Sequence, residues 1–566
     1  MSVIDGASGQ ERPGSGIARY ATHIAVAIAF GLSLLALLSL MRLELGPRSS
    51  EPVAMDEMFF SACAVRGLAT GEIPSTGCSD NKAPLIFLIH QALNQGGTPY
   101  NVLAVKVAAF GVVGAIVVLV GWLAFRVRGG VAAAGAAALV MLALVSDSQL
   151  LALKTETVGA VFTLVSLILC SRQKVGRCRW LATGVALGVA IAAKQTYAFA
   201  VPALLLWCWM AADRSDGRRH GRIFAWNAVH FIGGLVLPLL AFFVVFYLQG
   251  KSVDFLTSTF LYPSIYGPAH AASWLRRATW RLGDVCSDLA LVPVLPVLFA
   301  ASLPRIGAQF CSWRRNPAER APALLPMALV ALGLMLVAFV SPVYSRYHLI
   351  PAWVVMAAVG GVVISELGAA AARAGMVRAV QASSALVVFA LVVAASSWFS
   401  NGRMRSEQKP SVDYAIHEGR GEYGYVLGMR PEFYVWNGLI PASDVQFPWA
   451  LSGMPPNWFY TLPAVGSTKG KLLEATRSRN TVRLMNDFIR TPPSYIFVSE
   501  AMSRAKDSSR IADVPGFDEY LVEHCSSFGR VPENQESYYL IYRCNSARDR
   551  TGGMNSAGHA PTILAH

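Results

Sequence analysis

The sequence predicts an α-helical protein that crosses a membrane many times and carries a small α/β domain outside it. Of its 566 residues, 54% are hydrophobic and only 14% are charged, whereas a soluble protein carries about 25% charged residues. Apolar runs of about 20 residues, each long enough to cross a bilayer as a helix, recur up to residue 400. From residue 401 onward, the apolar runs shorten and Pro, Asn, Ser and charged residues become more frequent.

Roughly eleven apolar runs have the length and flanking charges of membrane spans. They cover 20–42, 101–125, 130–147, 157–171, 180–193, 197–212, 226–249, 285–303, 322–341, 349–366 and 379–400. The first run is too long for a signal peptide and has no small-residue cleavage site, so we interpret it as a retained span. The fifth and sixth runs are short and are compatible with one bent unit.

Basic residues are concentrated in alternate loops, and this pattern predicts the orientation of the chain. The rich loops are expected in the cytoplasm by the positive-inside rule, with an N-terminal tail, 1–19, on the same side. An odd number of spans then places the residues after 400 outside. Orientation also explains the net charge of +14, so no nucleic-acid partner is expected. The rich loops hold Arg126 and Arg128; Arg172, Lys174, Arg177 and Arg179; Arg214, Arg218, Arg219 and Arg222; Arg305, Arg314, Arg315 and Arg320; Arg373 and Arg378.

Two long loops and a C-terminal domain are predicted outside the membrane. The first loop, 43–100, has a mixed apolar and polar pattern that favours short helices along the interface. The second, 250–284, has the aromatic content typical of the headgroup level. In the domain, 401–550, the predicted elements are strands at Tyr423–Met429, Tyr495–Val498 and Tyr538–Tyr542 and a helix at Lys471–Arg490. The Gly-, Ser- and Ala-rich tail, 551–566, is predicted to be disordered.

Two cysteine pairs fall in these outer regions. Cys63 and Cys78 share the first loop, and Cys525 and Cys544 share the C-terminal domain. In an oxidising compartment, disulfides would be expected, but free thiols remain the alternative for each pair.

Ionisable residues at the outer ends of the spans are the candidates for chemistry, since such groups at membrane depth are functional candidates. They are Asp56 and Glu57, Lys82 ahead of Ala83-Pro84, Glu156 beside Lys154, Lys194, and Arg346 with Tyr347. A solvated loop start is the alternative for the two acids, and an interfacial anchor is the alternative for each of the others. Because all are predicted on one membrane face, their convergence indicates a single site.

These residues carry a resemblance to a known family. The chain resembles the polytopic GT-C glycosyltransferases, in particular the group of protein O-mannosyltransferases and lipid A aminoarabinose transferases. Many relatives have two prolines after the lysine where this chain has Ala83-Pro84, which leaves the subfamily open. The matching motifs are Met55-Asp56-Glu57, Gly67 to Gly71, Asn81 to Leu85, Thr155-Glu156-Thr157, Ala193-Lys194, and Ser345-Arg346-Tyr347 leading to Pro351.

The resemblance implies a GT-C transmembrane domain over 20–400 and a periplasmic domain over 401–550. It also implies a bacterial inner-membrane enzyme whose site faces the periplasm. This enzyme would move a sugar, with inversion, from a polyprenyl phosphate donor to a lipid A, lipopolysaccharide, cell-wall or protein acceptor. Asp56 would be the general base with Glu57 in support; Lys82, Lys194 and Arg346 would bind the donor phosphate; Glu156 and Tyr347 would support the site. No zinc-ligand pattern is visible, and metal dependence varies across GT-C enzymes, so a divalent cation is left open.

Two other functions are compatible with many spans and a long outer loop. An O-antigen ligase or polymerase is one, although such proteins usually have their long loop late in the chain. A lipid or polysaccharide transporter is the other, although it would be expected to show repeat symmetry, and no internal repeat is visible here. Loss of transfer on mutation of Asp56 would separate an enzyme from a transporter.

Overall fold

The computed structural model describes residues 55–73, 83–95, 99–145, 152–171, 176–212, 217–261, 274–316, 323–340, 346–373, 420–428, 430–445, 466–500, 514–532 and 538–545. Within them, four helices are long and apolar enough to cross a membrane: Val102–Arg128, His220–Leu248, Val294–Arg315 and Arg346–Ala370. Shorter apolar helices lie between them in the chain. The predicted spans 20–42 and 379–400 lie outside the described residues, so the count of eleven stays a prediction.

Among the described residues, the first two helices lie in the loop that the sequence predicts to be outside the membrane. These are α1, Met55–Thr70, and α2, Leu85–Asn94. They match the prediction of short helices in this loop, and their position along the interface stays a prediction. The following helices are α3, Val102–Arg128; α4, Gly130–Val145; α5, Thr155–Cys170; α6, Arg177–Ala193; a 3-10 turn, Gln195–Ala200; α7, Val201–Met210; and α8, Gly217–Leu248. The chain continues with α9, Ser252–Leu256, a π-helical turn, Thr257–Leu261, α10, Trp274–Leu291, α11, Val294–Arg315, α12, Leu324–Val340, a 3-10 turn, Arg346–Leu349, and α13, Ile350–Arg373.

One predicted span is wrong. The run 285–303 was expected to form a single helix, but α10 ends at Leu291 and α11 begins at Val294. Pro293 explains the break, because proline has no N–H for the helix ladder and disfavours helical geometry in the residue before it. The membrane-length helix is therefore Val294–Arg315, which extends past Arg305.

Close backbone contacts join α6 and α8. A Cβ atom on Gly184 would lie 2.0 Å from the carbonyl oxygen of Phe231, and one on Gly234 would lie 2.1 Å from that of Leu181. Only glycine permits such an approach, and small residues at helix crossings are typical of membrane bundles. Elsewhere in the bundle, the C-terminal end of α3 and the middle of α11 are both joined to α13, because Arg128 and Arg305 each form a 2.7 Å ion pair with Glu366.

The C-terminal unit is a five-stranded sheet with helices, which fits the predicted small α/β domain, although only three of the strands were predicted. Its strands are β1, Tyr423–Leu427; β2, Ile440–Pro441; β3, Tyr495–Ser499; β4, Cys525–Pro532; and β5, Tyr538–Cys544, in the order β2-β1-β3-β5-β4. The pairs β1–β2 and β1–β3 are parallel, and β3–β5 and β4–β5 are antiparallel. Three helices accompany the sheet: α14, Glu432–Asn437; α15, Thr468–Arg490; and α16, Phe517–His524.

Two sequence predictions in this unit are confirmed and one cysteine pair stays open. The long helix α15 packs Leu484 and Phe488 into the core of the sheet. Cys525 and Cys544 are opposite each other on β4 and β5 and form a disulfide. Cys63 is buried in α1, but Cys78 lies outside the described residues. The domain boundaries at 401 and 550 also lie outside them and remain predictions.

Helix α1 connects the sheet to the bundle. Near its C-terminal end, buried Arg66 donates a 2.9 Å hydrogen bond to the carbonyl of Pro441 in β2 and forms a 3.0 Å ion pair with Asp487 in α15. At its other end, Phe60 packs edge-on against Phe87 of α2. The helix that carries Asp56 and Glu57 in its first turn is thus held at both ends by neighbouring elements.

Candidate active site at one end of the bundle

The site begins at the first turn of α1, where Asp56 and Glu57 point to different surroundings. The Asp56 side chain is 27% exposed, and its carboxylate lies 3.6 Å from the ammonium of Lys154. Glu57 is buried, and its carboxylate accepts a 3.0 Å hydrogen bond from the backbone N–H of Leu153. Both acids also suit the positive end of the helix dipole. Of the pair, Asp56 is the one that an incoming molecule can reach.

Lys154 is held at the start of α5. It is almost fully buried and serves as the N-cap residue, with its backbone N–H donating to the hydroxyl of Thr157 at 3.2 Å. Its ammonium lies 3.6 Å from the Asp56 carboxylate and 4.4 Å from the centre of the Tyr347 ring. A lysine ammonium is attracted to both a carboxylate and an aromatic face, so these contacts fix the charge beside Asp56.

A second ion pair lies near Tyr347. The buried carboxylate of Glu156 pairs with the ammonium of Lys194 and accepts a 2.8 Å hydrogen bond from the hydroxyl of Thr155. The imidazole of His348 lies 4.0 Å from the same carboxylate. Lys194 follows α6, where the backbone turns extended before the 3-10 turn, and this break directs the lysine to the centre of the site.

Both lysines lie over the ring of Tyr347. Its ring centre is 4.4 Å from the Lys154 ammonium and 5.6 Å from the Lys194 ammonium, and it meets the His348 ring edge-on. We call Asp56, Lys154, Glu156, Lys194, Tyr347 and His348 the outer-face cluster, after the membrane face on which the sequence predicts them. In this cluster, the Lys154 ammonium lies near the Asp56 carboxylate and the Lys194 ammonium pairs with the Glu156 carboxylate.

Arg346 is near the cluster but has a different partner. Its guanidinium donates a 2.8 Å hydrogen bond to Asp288 of α10, and its side chain is 39% exposed. It adjoins Tyr347 in the chain, so a phosphate bound beside the tyrosine would lie within reach of this flexible side chain. Lys82 lies outside the described residues, and its predicted phosphate contact stays a prediction.

The structure thus brings together Asp56, Glu156, Lys194 and Tyr347, which the sequence had suggested as parts of one site. Lys154 was visible only as a charged neighbour of Glu156, and nothing in the sequence indicated its contact with Asp56. His348 follows Tyr347 directly in the chain, and nothing in the sequence indicated its approach to Glu156. Asp288 was not expected, because an acid on an amphipathic helix reads as solvated. Within the described parts of the chain, no group of three or more His, Cys, Asp or Glu residues is arranged to hold a metal ion.

The arrangement has the elements that transfer from a lipid phosphate requires. Ammonium groups bind and stabilise phosphate oxygens. A carboxylate that a substrate can reach is able to accept a proton from a hydroxyl group. Here the two kinds of group are in direct contact at one end of an apolar bundle.

The fold has relatives among solved structures. ArnT from Cupriavidus metallidurans bound to undecaprenyl phosphate matches with a TM-score of 0.51 and 13% identity, over 94% of this chain and 98% of that one. The same protein in the apo state matches with a TM-score of 0.52 and 14% identity, over 93% and 98% of the two chains. The chain has the fold of ArnT. This confirms, at the level of the fold, the resemblance to GT-C transferases.

A third match is too weak to support any argument. The oligosaccharyltransferase of Archaeoglobus fulgidus in its apo form has a TM-score of 0.47 and 10% identity, over 86% of this chain and 72% of that one. No protein-family model matches the chain, and no curated protein does. The likeness to ArnT therefore supports the fold, and the function has to be argued from the outer-face cluster.

Proposed function

We propose that this protein is a membrane glycosyltransferase that moves a sugar from a polyprenyl-phosphate-linked donor to an acceptor outside the bacterial inner membrane. The observation that carries the proposal is the contact between Asp56 and Lys154 beside Tyr347 and Lys194, at one end of the bundle. The match with an ArnT structure bound to undecaprenyl phosphate supports a lipid phosphate as the ligand. The acceptor class is lipid A, lipopolysaccharide, a cell-wall glycan or a protein.

Asp56 is proposed as the general base. Its carboxylate takes the proton of the acceptor hydroxyl as that oxygen bonds to the anomeric carbon of the sugar. The bond between the anomeric carbon and the phosphate oxygen breaks, and the phosphate keeps the electron pair. Because the acceptor enters opposite the departing phosphate, the configuration inverts. Lys154 lies against Asp56 and is placed to attract the phosphate as the acid becomes neutral.

Lys154, Lys194, Lys82 and Arg346 are proposed as the cations that hold the phosphate. Two of them already lie around Tyr347, at 4.4 and 5.6 Å from the ring centre. Lysine binds phosphate as a point charge on a flexible stem, so it can exchange a carboxylate for a phosphate oxygen with a small movement. The apolar outer surface of helices such as α8, where Leu237 and Leu240 are exposed, suits a protein immersed in lipid.

Transfer by the purified protein tests the proposal. Protein in lipid nanodiscs would be mixed with undecaprenyl-phosphate-linked sugars and extracted envelope acceptors, and both donor consumption and acceptor mass would be measured. The parental protein is expected to convert the donor to undecaprenyl phosphate and to add one sugar to an acceptor. Glu366→Gln, an acid-to-amide change at the opposite ends of the helices, is the control and should be active. Transport of the donor across vesicles without consumption would contradict the proposal.

A further inference from the structure

Leu153 is held at both of its backbone polar atoms, the N–H and the carbonyl oxygen. Its N–H donates to the buried carboxylate of Glu57 at 3.0 Å. Its carbonyl oxygen lies 3.5 Å from Nε2 of His90, a fully buried residue of α2. Glu57 and His90 belong to the two helices of the first outer loop. These helices therefore hold the backbone at the residue before Lys154.

His90 is itself fixed in one orientation. Its Nδ1 atom lies 2.9 Å from the hydroxyl of Ser61 on α1, and its ring meets Phe60 edge-on. A carbonyl oxygen only accepts, so Nε2 carries the hydrogen that faces Leu153. Nδ1 then accepts the hydroxyl hydrogen of Ser61. Burial lowers the pKa of His90 to about 4, and the contact with the Leu153 carbonyl only partly opposes this, so the ring is neutral at neutral pH.

These contacts determine the position of Lys154. The backbone of Lys154 follows directly on that of Leu153. Its ammonium lies 3.6 Å from the Asp56 carboxylate and 4.4 Å from the centre of the Tyr347 ring. On α1, Asp56 contacts the side chain of Lys154, and its neighbour Glu57 contacts the backbone that carries that side chain. A shift of the Leu153 peptide would move the ammonium relative to both partners.

We propose that His90, together with Glu57 and Ser61, is a positioning residue that sets the Lys154 ammonium between Asp56 and the donor phosphate. The inference rests on the proposed function and assigns Glu57 to the backbone of Leu153. A misplacement of about 1 Å at a reacting site can cost about a hundredfold in rate, so a group that touches no substrate can have a large effect here.

Three variants on α2 separate positioning from packing. His90→Leu removes both polar contacts, and turnover is expected to fall about tenfold to a hundredfold. His90→Gln can supply an amide N–H near the position of Nε2, and it should recover most of the activity. Phe87→Leu loosens the same pair of helices, where Phe87 packs against Phe59 and Phe60, and it should leave turnover near the parental value. Equal losses in His90→Leu and His90→Gln would overturn the inference.

A double-mutant cycle shows whether His90 acts through Lys154. Residues that act through one group give non-additive effects. In a Lys154→Ala background, His90→Leu should therefore lower turnover little further, whereas the effect of Phe87→Leu should be unchanged by that background. If the losses from His90→Leu and Lys154→Ala multiply, His90 acts independently and the inference is wrong. Ser61→Ala, a milder change, provides the same cycle if His90→Leu does not fold.

Hydrogen exchange and lipid binding separate this inference from the proposed function. Exchange at residues 152–157, measured in nanodiscs, should rise in His90→Leu and stay near the parental rate in Phe87→Leu and His90→Gln. Unchanged exchange in His90→Leu would overturn the inference even in an active transferase. If the parental protein neither binds undecaprenyl phosphate nor consumes the donor, the proposed function fails and the inference falls with it.

Discussion

Two buried clusters of charge lie near opposite ends of helix α1, and they are built from different cations. The outer-face cluster, near Asp56, uses Lys154 and Lys194. The second, which we call the domain joint, consists of Arg66, Asp254, Asp444, Arg479, Arg483 and Asp487. Both pair cations with mostly buried carboxylates, yet one faces a proposed substrate and the other joins the sheet to the bundle.

Two arginines of the domain joint, Arg66 and Arg483, each hold several oxygens. Arg483 contacts Asp254 at 2.9 Å and Asp444 at 2.6 Å through different nitrogens of one guanidinium. Arg66 contacts Asp487 and two backbone carbonyls. A planar guanidinium with five donors fixes the directions of its partners. The domain joint is therefore suited to holding the sheet in one place.

The lysines of the outer-face cluster have a different kind of surroundings. Lys154 lies near the carboxylate of Asp56, Lys194 pairs with that of Glu156, and both lie over the ring of Tyr347. A compact ammonium on a flexible stem has no preferred fork geometry. The difference suggests two uses of buried charge. A lysine that binds a ligand can exchange its carboxylate partner for that ligand. An arginine that joins two parts of the protein directs its donors at several fixed oxygens.

The largest expected effect is on the outer-face cluster and comes from Asp56→Asn. Asparagine keeps the shape of the side chain but cannot take a proton, and general-base help is worth about 10²–10⁴-fold. Transfer in nanodiscs should fall by that factor, while membrane insertion and thermal unfolding stay near the parental values. Glu57→Gln should cost less, since Glu57 faces the backbone of Leu153. A fully active Asp56→Asn variant would remove Asp56 from the chemistry.

Lys154→Ala should have the next largest effect on turnover. Removing one donor that stabilises developing negative charge typically costs about 10²–10³-fold. Its carboxylate partner, Asp56, is partly exposed, so the loss of stability should be small, and the melting temperature reports it. A large fall in melting temperature with unchanged turnover would mean that Lys154 belongs with the architectural charges.

Arg66→Ala should show the reverse pattern. Breaking a buried pair leaves Asp487 without its cation and typically costs about 3–5 kcal/mol, so hydrogen exchange in the sheet should accelerate strongly. Arg66→Lys should rescue only part of this loss, because one ammonium cannot reproduce contacts with both Asp487 and the carbonyls of Pro441 and Ala442. Turnover should fall less than in Lys154→Ala. Full rescue by lysine would show that lysine and arginine are interchangeable at this position, which contradicts the proposed difference between the two clusters.

The smallest effect concerns the pH dependence of the domain joint. Burial raises the pKa of Asp487; Arg66 opposes this shift and Asp444 adds to it. A folded-state pKa above the unfolded value means that the folded protein binds more protons between the two values, so this group makes stability fall as pH rises through that window. Asp487→Asn should therefore make the stability of the sheet depend less on pH above about pH 4. Unfolding of the sheet at a series of pH values measures this. If the stability of the variant fell more steeply with pH, the pKa of Asp487 would be shifted in the opposite direction.

Much of the fold could be predicted from local sequence. The run that forms α3 is apolar over a membrane length, and Tyr495–Ser499 is aromatic and β-branched, so both were recognised. Strand β4 was missed because Cys525-Ser526-Ser527 has neither property. The placement of β3 between β1 and β5 depends on contacts between distant parts of the chain, which no local pattern reports.

The candidate site shows the same limit. Charged residues at the outer ends of apolar runs could be identified as candidates. A charged side chain at membrane depth is energetically costly, so its presence there indicates a function. Their partners could not, since the contacts of Asp56 with Lys154 and of Arg346 with Asp288 join elements far apart in the chain. His90 gave no signal, because a single histidine in an apolar helix reads as part of the core.

Binding of undecaprenyl phosphate is the most direct test of the central claim, that the lysines around Tyr347 form a lipid-phosphate site. Native mass spectrometry of the protein released from nanodiscs would compare this lipid with undecaprenol, which has the same tail and no phosphate. We predict that the parental protein prefers the phosphate, and that Lys154→Ala loses this preference by about tenfold or more, the equivalent of one charge-assisted contact. Arg483→Lys in the domain joint should retain it. Equal binding of both lipids, or an unchanged preference in Lys154→Ala, would contradict the account.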